Sequence, residues 1–272
     1  MRLTTRDLRS RKGRTPIAML TAYDFPTARI LDEAGADVLL VGDSLGMVVL
    51  GYPDTTGVTL DEVIHHTKAV CRGSQKAMVV ADLPFLTYQI SPEEAVRNAG
   101  RLIQEGGAQA VKLEGGRTIA LTVQKLTQCG IPVVGHIGLT PQSIHQLGGY
   151  RIQGRTPEEA ARLIDDAKAL EEAGAFALVL ECLPSSLAKL ITEQISIPTI
   201  GIGAGPHCDG QVQVFHDLIG MSGEYLPRHA RRYAEVGAEI LSAASRYVED
   251  VRNNRFLAEN KEKIENLASR EA

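Results

Sequence analysis

No two cysteines of this chain have C-x-x-C spacing. Cys71, Cys129, Cys182 and Cys208 stand singly, which argues against a disulfide framework or a zinc site and reads them as reduced thiols. Only Cys182 adjoins a candidate site residue, and its expected role is that of a small packing residue. No basic block breaks a formal net charge of -4, so no nucleic acid and no anionic membrane surface is expected as a partner. No apolar run reaches the length of a signal peptide or a membrane span, and the opening MRLTTRDLRSRKGRTP has none at all. The expectation is a soluble, cytoplasmic protein whose partners are small molecules. No linker-like stretch divides the 272 residues, 44% of them hydrophobic, which suffices for one full core.

What the chain does have is a degenerate repeat. A helical stretch closes on E-A-G-A-D before VLLV (Glu33 to Asp37), on E-G-G-A-Q before AVKL (Glu105 to Gln109) and on E-A-G-A-F before ALVL (Glu172 to Phe176). Glycine just past a helix and ahead of a β-branched run is the αβ turn of an α/β unit. The rule predicts eight strands: Ile17 to Thr21, Asp37 to Val41, Met78 to Ala81, Ala110 to Leu113, Val133 to Gly135, Phe176 to Leu180, Thr199 to Ile202 and Val212 to Phe215. Helices are predicted near 25–34, 59–72, 92–105, 117–129, 157–173, 185–195 and 228–248, with Ser91-Pro92-Glu93-Glu94 and Thr156-Pro157-Glu158-Glu159 as capped starts. Eight units in 272 residues leave about 34 each, the size of a (β/α)8 repeat. The fold class is therefore α/β, a single (β/α)8 TIM barrel over residues 1–252 followed by a charged C-terminal tail, 253–272.

Four of the apolar runs end in an acid: VLLVGD at Asp43, MVVAD at Asp82, AVKLE at Glu114 and ALVLE at Glu181. Each acid taken alone could be a helix N-cap. Together, at strand ends that converge on the ligand face of a parallel barrel, they read as one site. Asp43, Asp82 and Glu114 end the second, third and fourth strands, and hard oxygen ligands at a pocket mouth suit Mg²⁺. No histidine pair competes for zinc. Lys112, two residues before Glu114, points to the same side and brings an ammonium to the metal cluster, where a carboxylate or an anionic substrate must offset its burial. Glu181, on the sixth strand across the pocket, sits where a general base would take a proton alpha to a metal-bound carbonyl. His136, ending the fifth strand, lies between them to bind substrate or hold Glu181, unless backbone carbonyls satisfy it. Gly201-Ile202-Gly203-Ala204-Gly205 offers a weak phosphate-loop signal and reads better as close backbone approach. His65 and His66 read as surface or packing residues, and Gly51 to Gly57 as a mobile loop over the site.

The residues TAYD (Thr21 to Asp24), VGDSLGMVVLGY (Val41 to Tyr52), ADLPF (Ala81 to Phe85), VKLEGG (Val111 to Gly116), GHIGLTPQS (Gly135 to Ser143), GGYRIQGR (Gly148 to Arg155), LVLECLP (Leu178 to Pro184), IGIGAG (Ile200 to Gly205) and DGQVQVFHD (Asp209 to Asp217) together resemble the ketopantoate hydroxymethyltransferase family. Departures are Gly57 in place of a proline in the loop and Leu147 in place of an aromatic. The resemblance implies a (β/α)8 barrel that moves a hydroxymethyl group from 5,10-methylenetetrahydrofolate to 3-methyl-2-oxobutanoate, giving 2-dehydropantoate. It implies Mg²⁺ at Asp43 and Asp82, with Glu114 binding directly or through water. Ser44 and Lys112 would hold the keto acid, with Asp43, Asp82 and His136 also lining it, and Glu181 would accept the proton. It further implies a homo-oligomer, commonly a decamer. Two other readings stand beside it: a Mg-dependent lyase or mutase of the phosphoenolpyruvate mutase/isocitrate lyase type, and a non-catalytic barrel acting as a binding module.

Overall fold

The computed structural model of the protein describes residues 2–223 and 226–258. The described residues fall into two compact units, one within 2–215 with 228–230 and the other within 216–223, 226–227 and 231–258. The charged tail beyond residue 258 lies outside the described residues.

In the first unit, eight strands close into a barrel in chain order: β1 (Ile17–Thr21), β2 (Val38–Val41), β3 (Met78–Asp82), β4 (Ala110–Glu114), β5 (Val133–Gly138), β6 (Ala177–Glu181), β7 (Thr199–Ile202) and β8 (Gly210–Gln213). Every neighbouring pair is parallel, and β8 returns to β1 with Met19 opposite Val212. Helices of this unit are α1 (Thr5–Arg9), α2 (Phe25–Glu33), α3 (Leu45–Val48), α4 (Leu60–Gly73), α5 (Pro92–Gln104), α6 (Ala120–Gln128), α7 (Ile144–Leu147), α8 (Pro157–Glu172) and α9 (Ser185–Gln194). After α10 (Phe215–Leu218), the second unit carries α11 (Val236–Arg252) and α12 (Arg255–Ala258).

The single (β/α)8 barrel is thus the observed fold. Its strands read as unbroken apolar runs because both faces are covered. Alternate residues such as Met19, Leu40, Val80, Val134 and Val179 fill the barrel interior, while Leu39, Val79, Val111 and Leu178 face the helices. Burying each such side chain contributes roughly 1.5–3 kcal/mol. Leu8 of α1 joins the interior cluster from below, packed with the first residues of the strands, and α1 is fixed by a Thr4–Asp7 capping box. The starts of α5 and α8 are capped by Ser91 and Thr156 as their sequences require.

Beyond shifts of one residue, the fifth strand runs to Gly138 rather than Gly135, and three further elements differ from the sequence reading. The last strand is Gly210–Gln213 rather than Val212 to Phe215, because the Phe215 N–H donates to Thr21 Oγ1 at 2.9 Å and the chain turns there into α10. The helix expected over 117–129 begins as a 3₁₀ turn, Arg117–Ile119, because the Arg117 N–H is taken by Asp166 Oδ1 at 2.7 Å. The helix expected over 228–248 is Val236–Arg252; the Tyr233 and Val236 N–H groups are spent on Leu218 and Ile219 carbonyls.

Candidate active site

At the carboxyl ends of the strands the interior rows change from apolar to charged. Asp82 follows Val80 by two residues, Lys112 follows Ala110, His136 follows Val134 and Glu181 follows Val179, so each continues an inward-facing row. Strand register then places Asp82 beside Lys112 and Glu114 beside His136. The predicted convergence of Asp82, Lys112, Glu114, His136 and Glu181 is therefore a product of pairing in the sheet.

Asp43 reaches the same place from just past β2. Its backbone N–H donates to Asp82 Oδ2 at 3.0 Å. Gly42 makes room for this turn, since a Cβ there would lie 2.9 Å from Ser44 Oγ. Gly138 at the end of β5 has φ +100°, and a Cβ there would collide with the Glu181 carbonyl oxygen, so glycine permits β5 and β6 to close at this height. Cys182, next after Glu181, is held at φ 50°, with its N–H donating to Ile202 O at 2.8 Å and its carbonyl accepting from Gln153 N at 2.9 Å. Burial, helped by the Glu181 charge, pushes its thiol up to about 12, in keeping with a packing role rather than a nucleophile.

The charges are buried and crowded. Lys112 Nζ lies 2.9 Å from Asp82 Oδ1. Burial opposes the Lys112 ammonium, but Asp82, Glu114 and Asp43 outweigh it and raise the lysine above its ordinary value. Asp43 is held well above the carboxylate range, first by burial and then by the Asp82 and Glu114 charges. Asp82 is raised by burial, which Lys112 and the Asp43 N–H only partly offset. Burial acts the same way on Glu114, but His136, Lys112 and the Gln142 N–H prevail and lower it. His136 stands between two acids, its Nδ1 3.4 Å from Glu114 Oε1 and its Nε2 3.2 Å from Glu181 Oε2. Burial and the Lys112 charge oppose its protonation, yet the two carboxylates carry it up to about 9. It is these acids, and no backbone carbonyl, that face its ring. Glu181 is the most solvent-accessible of the six, with 13% of its side chain exposed.

Among the described residues no group of three His, Cys, Asp or Glu is arranged to hold a metal ion by itself. The donor set nonetheless fits Mg²⁺, which takes one or two carboxylates and completes its shell with water and substrate oxygens. Asp82 Oδ1 is buried and has no hydrogen-bond partner despite the nearby ammonium. Glu114 is already engaged by the Gln142 N–H at 3.0 Å and by His136, which suits it to contact through water.

Ser44 is half-buried at the start of α3, and its Oγ lies 2.8 Å from the hydroxyl of buried Tyr23. The loop from Gly51 to Gly57 reaches the segment after β5, where Asp54 Oδ2 is 3.4 Å from His145 Nε2. His66 Nδ1 meets the Tyr23 carbonyl at 2.6 Å, the packing role expected, and His65 is exposed. Tyr23 and Gln142 lie within the stretches that carry the family resemblance and Tyr88 lies outside them, and no local pattern marks any of the three as a site residue. Gln142 Nε2 donates to Asp43 Oδ2 at 2.7 Å and to Leu83 O at 3.0 Å, and its Oε1 is 2.8 Å from the Tyr88 hydroxyl.

A closed (β/α)8 barrel whose rim gathers buried acids, an ammonium and a histidine-linked carboxylate has the architecture of a barrel enzyme with its site at the carboxyl ends of the strands. The family model for ketopantoate hydroxymethyltransferase matches residues 2–259, and the chain belongs to that family. It is 59% identical over 257 residues to the 3-methyl-2-oxobutanoate hydroxymethyltransferase of Dehalococcoides mccartyi, covering 94% of this chain and 92% of the relative. Against the enzyme of that name from Carboxydothermus hydrogenoformans it is 60% identical over 240 residues, 88% of this chain and 87% of the relative. Among solved structures, the phosphoenolpyruvate phosphomutase of Streptomyces platensis subsp. rosaceus superposes with a TM-score of 0.62 at 14% identity, covering 94% of this chain and 90% of that one. The mutase and lyase type considered from sequence thus shares the fold alone.

Proposed function

We propose that this enzyme transfers a hydroxymethyl group from 5,10-methylenetetrahydrofolate to 3-methyl-2-oxobutanoate, giving 2-dehydropantoate. The reading extends to a cytoplasmic homo-oligomer, a decamer on the family resemblance, with catalysis in the barrel, taken as residues 1–252, and none in the tail. Its main support is the continuous arc in which Lys112 lies 2.9 Å from Asp82 while His136 lies 3.2 Å from Glu181. One end of this arc suits a carboxylate and its counter-ion, the other a base.

Asp43 and Asp82 would hold Mg²⁺, with Glu114 through water, and the ion when bound supplies Lewis-acid polarisation of the keto acid's oxygens. Lys112 and Ser44 bind the keto-acid carboxylate, Lys112 by a charge-assisted contact and Ser44 by a hydroxyl whose orientation Tyr23 fixes. Glu181 takes the C3 proton and the enolate carbon bonds to the methylene carbon of the folate, both of whose C–N bonds break: one water supplies the hydroxyl, its other proton and the one held by Glu181 go to the two folate nitrogens, and tetrahydrofolate leaves. His136, with both ring nitrogens facing acids, keeps Glu181 aimed into the pocket.

The test is an assay of purified protein with keto acid, methylenetetrahydrofolate and Mg²⁺, following tetrahydrofolate and 2-dehydropantoate together. Stoichiometric formation of both, abolished by exhaustive chelation and by Asp82→Ala, is expected. Absence of folate-dependent product contradicts the reading, and product that survives chelation contradicts its metal component.

A further inference from the structure

Gln142 is a neutral side chain that touches the acid cluster from the β5 side. It sits in a single 3₁₀ turn, Pro141–Ser143, just beyond the strand, and only 4% of it is exposed. Its amide is used completely. The two N–H bonds of Nε2 go to Asp43 Oδ2 at 2.7 Å and Leu83 O at 3.0 Å. Oε1 faces the Tyr88 hydroxyl at 2.8 Å and Gln89 Nε2 at 3.3 Å. The backbone N–H of the same residue donates to Glu114 Oε2 at 3.0 Å. Leu83 O can only accept, so a flipped amide would set oxygen against oxygen there, and this fixes the orientation of the amide.

The network extends one residue further. Tyr88 is buried, its hydroxyl lies 2.9 Å from Glu114 O and accepts from Glu114 N at 3.1 Å. Through Tyr88 and its own backbone, Gln142 therefore ties the ends of β2, β3 and β4 together, and it does so without adding charge to a cluster that holds three carboxylates and one ammonium. A glutamate in its place would add a fourth carboxylate, and an aliphatic side chain would take their partner from Asp43 Oδ2 and Leu83 O, each a buried polar group whose desolvation is then uncompensated.

We infer that Gln142 is a positioning residue for divalent-cation binding: it clamps Oδ2 of Asp43 and fixes Glu114, so that these carboxylates are set for the ion before it arrives. The inference rests on the proposed Mg²⁺ site of Asp43 and Asp82. Groups of this kind, which orient ligands without touching the metal, typically change metal affinity 10- to 100-fold when lost.

The experiment is titration of full-length wild-type protein, Gln142→Met and Tyr88→Phe with Mg²⁺ by calorimetry, with the melting temperature of each recorded without metal. Gln142→Met keeps the reach of the side chain and removes the amide without adding charge, and it is expected to raise the Mg²⁺ dissociation constant roughly 10- to 100-fold. Tyr88→Phe removes only the hydroxyl behind the amide, so it is expected to move the constant in the same direction by less and serves if Gln142→Met does not fold. A purely structural role would lower the melting temperatures and leave the dissociation constants within a factor of two of wild type, and that result overturns the inference. Wild-type protein that binds no Mg²⁺ overturns the metal site itself, and with it this role.

Discussion

Nε2 of His136 lies 3.2 Å from Oε2 of Glu181, and the opposite ring nitrogen faces Glu114. One imidazole thus links the acid cluster on β2 to β4 with the carboxylate proposed as base on β6. The link needs a charged ring, because a neutral imidazole can donate to only one of the two acids.

A pH dependence of stability follows from that ring. Its folded value is raised to about 9 from an ordinary 6.5, so the folded state binds more protons than the unfolded chain in this interval. The stabilisation is fully present below 6.5 and is lost as pH rises through 9. Buried Asp43, also raised, acts with the same sign. Melting temperature measured without divalent ions is expected to fall across that window, and His136→Gln to flatten the fall. A melting temperature that holds steady or climbs there contradicts the assignment.

Lys112→Ala removes the ammonium 2.9 Å from Asp82. The keto acid should bind about 10- to 100-fold more weakly, the equivalent of a charge-assisted contact of roughly 1.5–3 kcal/mol. The variant should also melt earlier, because Asp82 is left buried without its cation. Calorimetric titration with 3-methyl-2-oxobutanoate measures the first effect. An unchanged dissociation constant would remove Lys112 from substrate binding.

Leu8→Ala tests the other end of the barrel. Leu8 closes the interior core beneath the strands, and its truncation should cost about 2–5 kcal/mol of stability by opening a cavity. Because the site lies at the opposite rim, kcat/KM at a temperature where the variant is folded should match wild type. Denaturant unfolding and steady-state kinetics check the two halves, and a large loss in kcat/KM without a loss of stability would mean that the floor and the rim are coupled.

The sequence was most readable where burial imposes a pattern. Strands covered on both faces leave unbroken apolar runs, and an acid that ends such a run is conspicuous, which is how Asp43, Asp82, Glu114 and Glu181 can be read from the sequence, with Lys112 marked as a lone charge inside such a run, two residues before Glu114. Position β8 shows the opposite case. Its sequence GQVQ alternates polar and apolar residues, so Val212 to Phe215 looked the better strand, and only the Thr21 hydroxyl taking the Phe215 N–H decides the matter. Gln142 and Tyr88 escaped notice because their meaning is wholly tertiary. Nothing near residue 142 signals that its amide will meet Asp43, 99 positions earlier in the chain. The Thr4–Asp7 capping box ahead of Leu8 was in plain view, but a five-residue helix has too short a period to announce what it plugs.

The central claim is that Glu181 removes the C3 proton, and deuterium exchange at C3 of 3-methyl-2-oxobutanoate, followed by proton NMR in deuterated buffer with Mg²⁺ and no folate, tests it most directly. Glu181→Gln keeps the shape of the side chain and removes the base. The variant is expected to bind Mg²⁺ and keto acid with near-normal affinity and to exchange roughly 10²- to 10⁴-fold more slowly than wild type. Exchange at the wild-type rate would contradict the account and turn attention to His136, and loss of metal binding would place Glu181 among the metal's ligands instead.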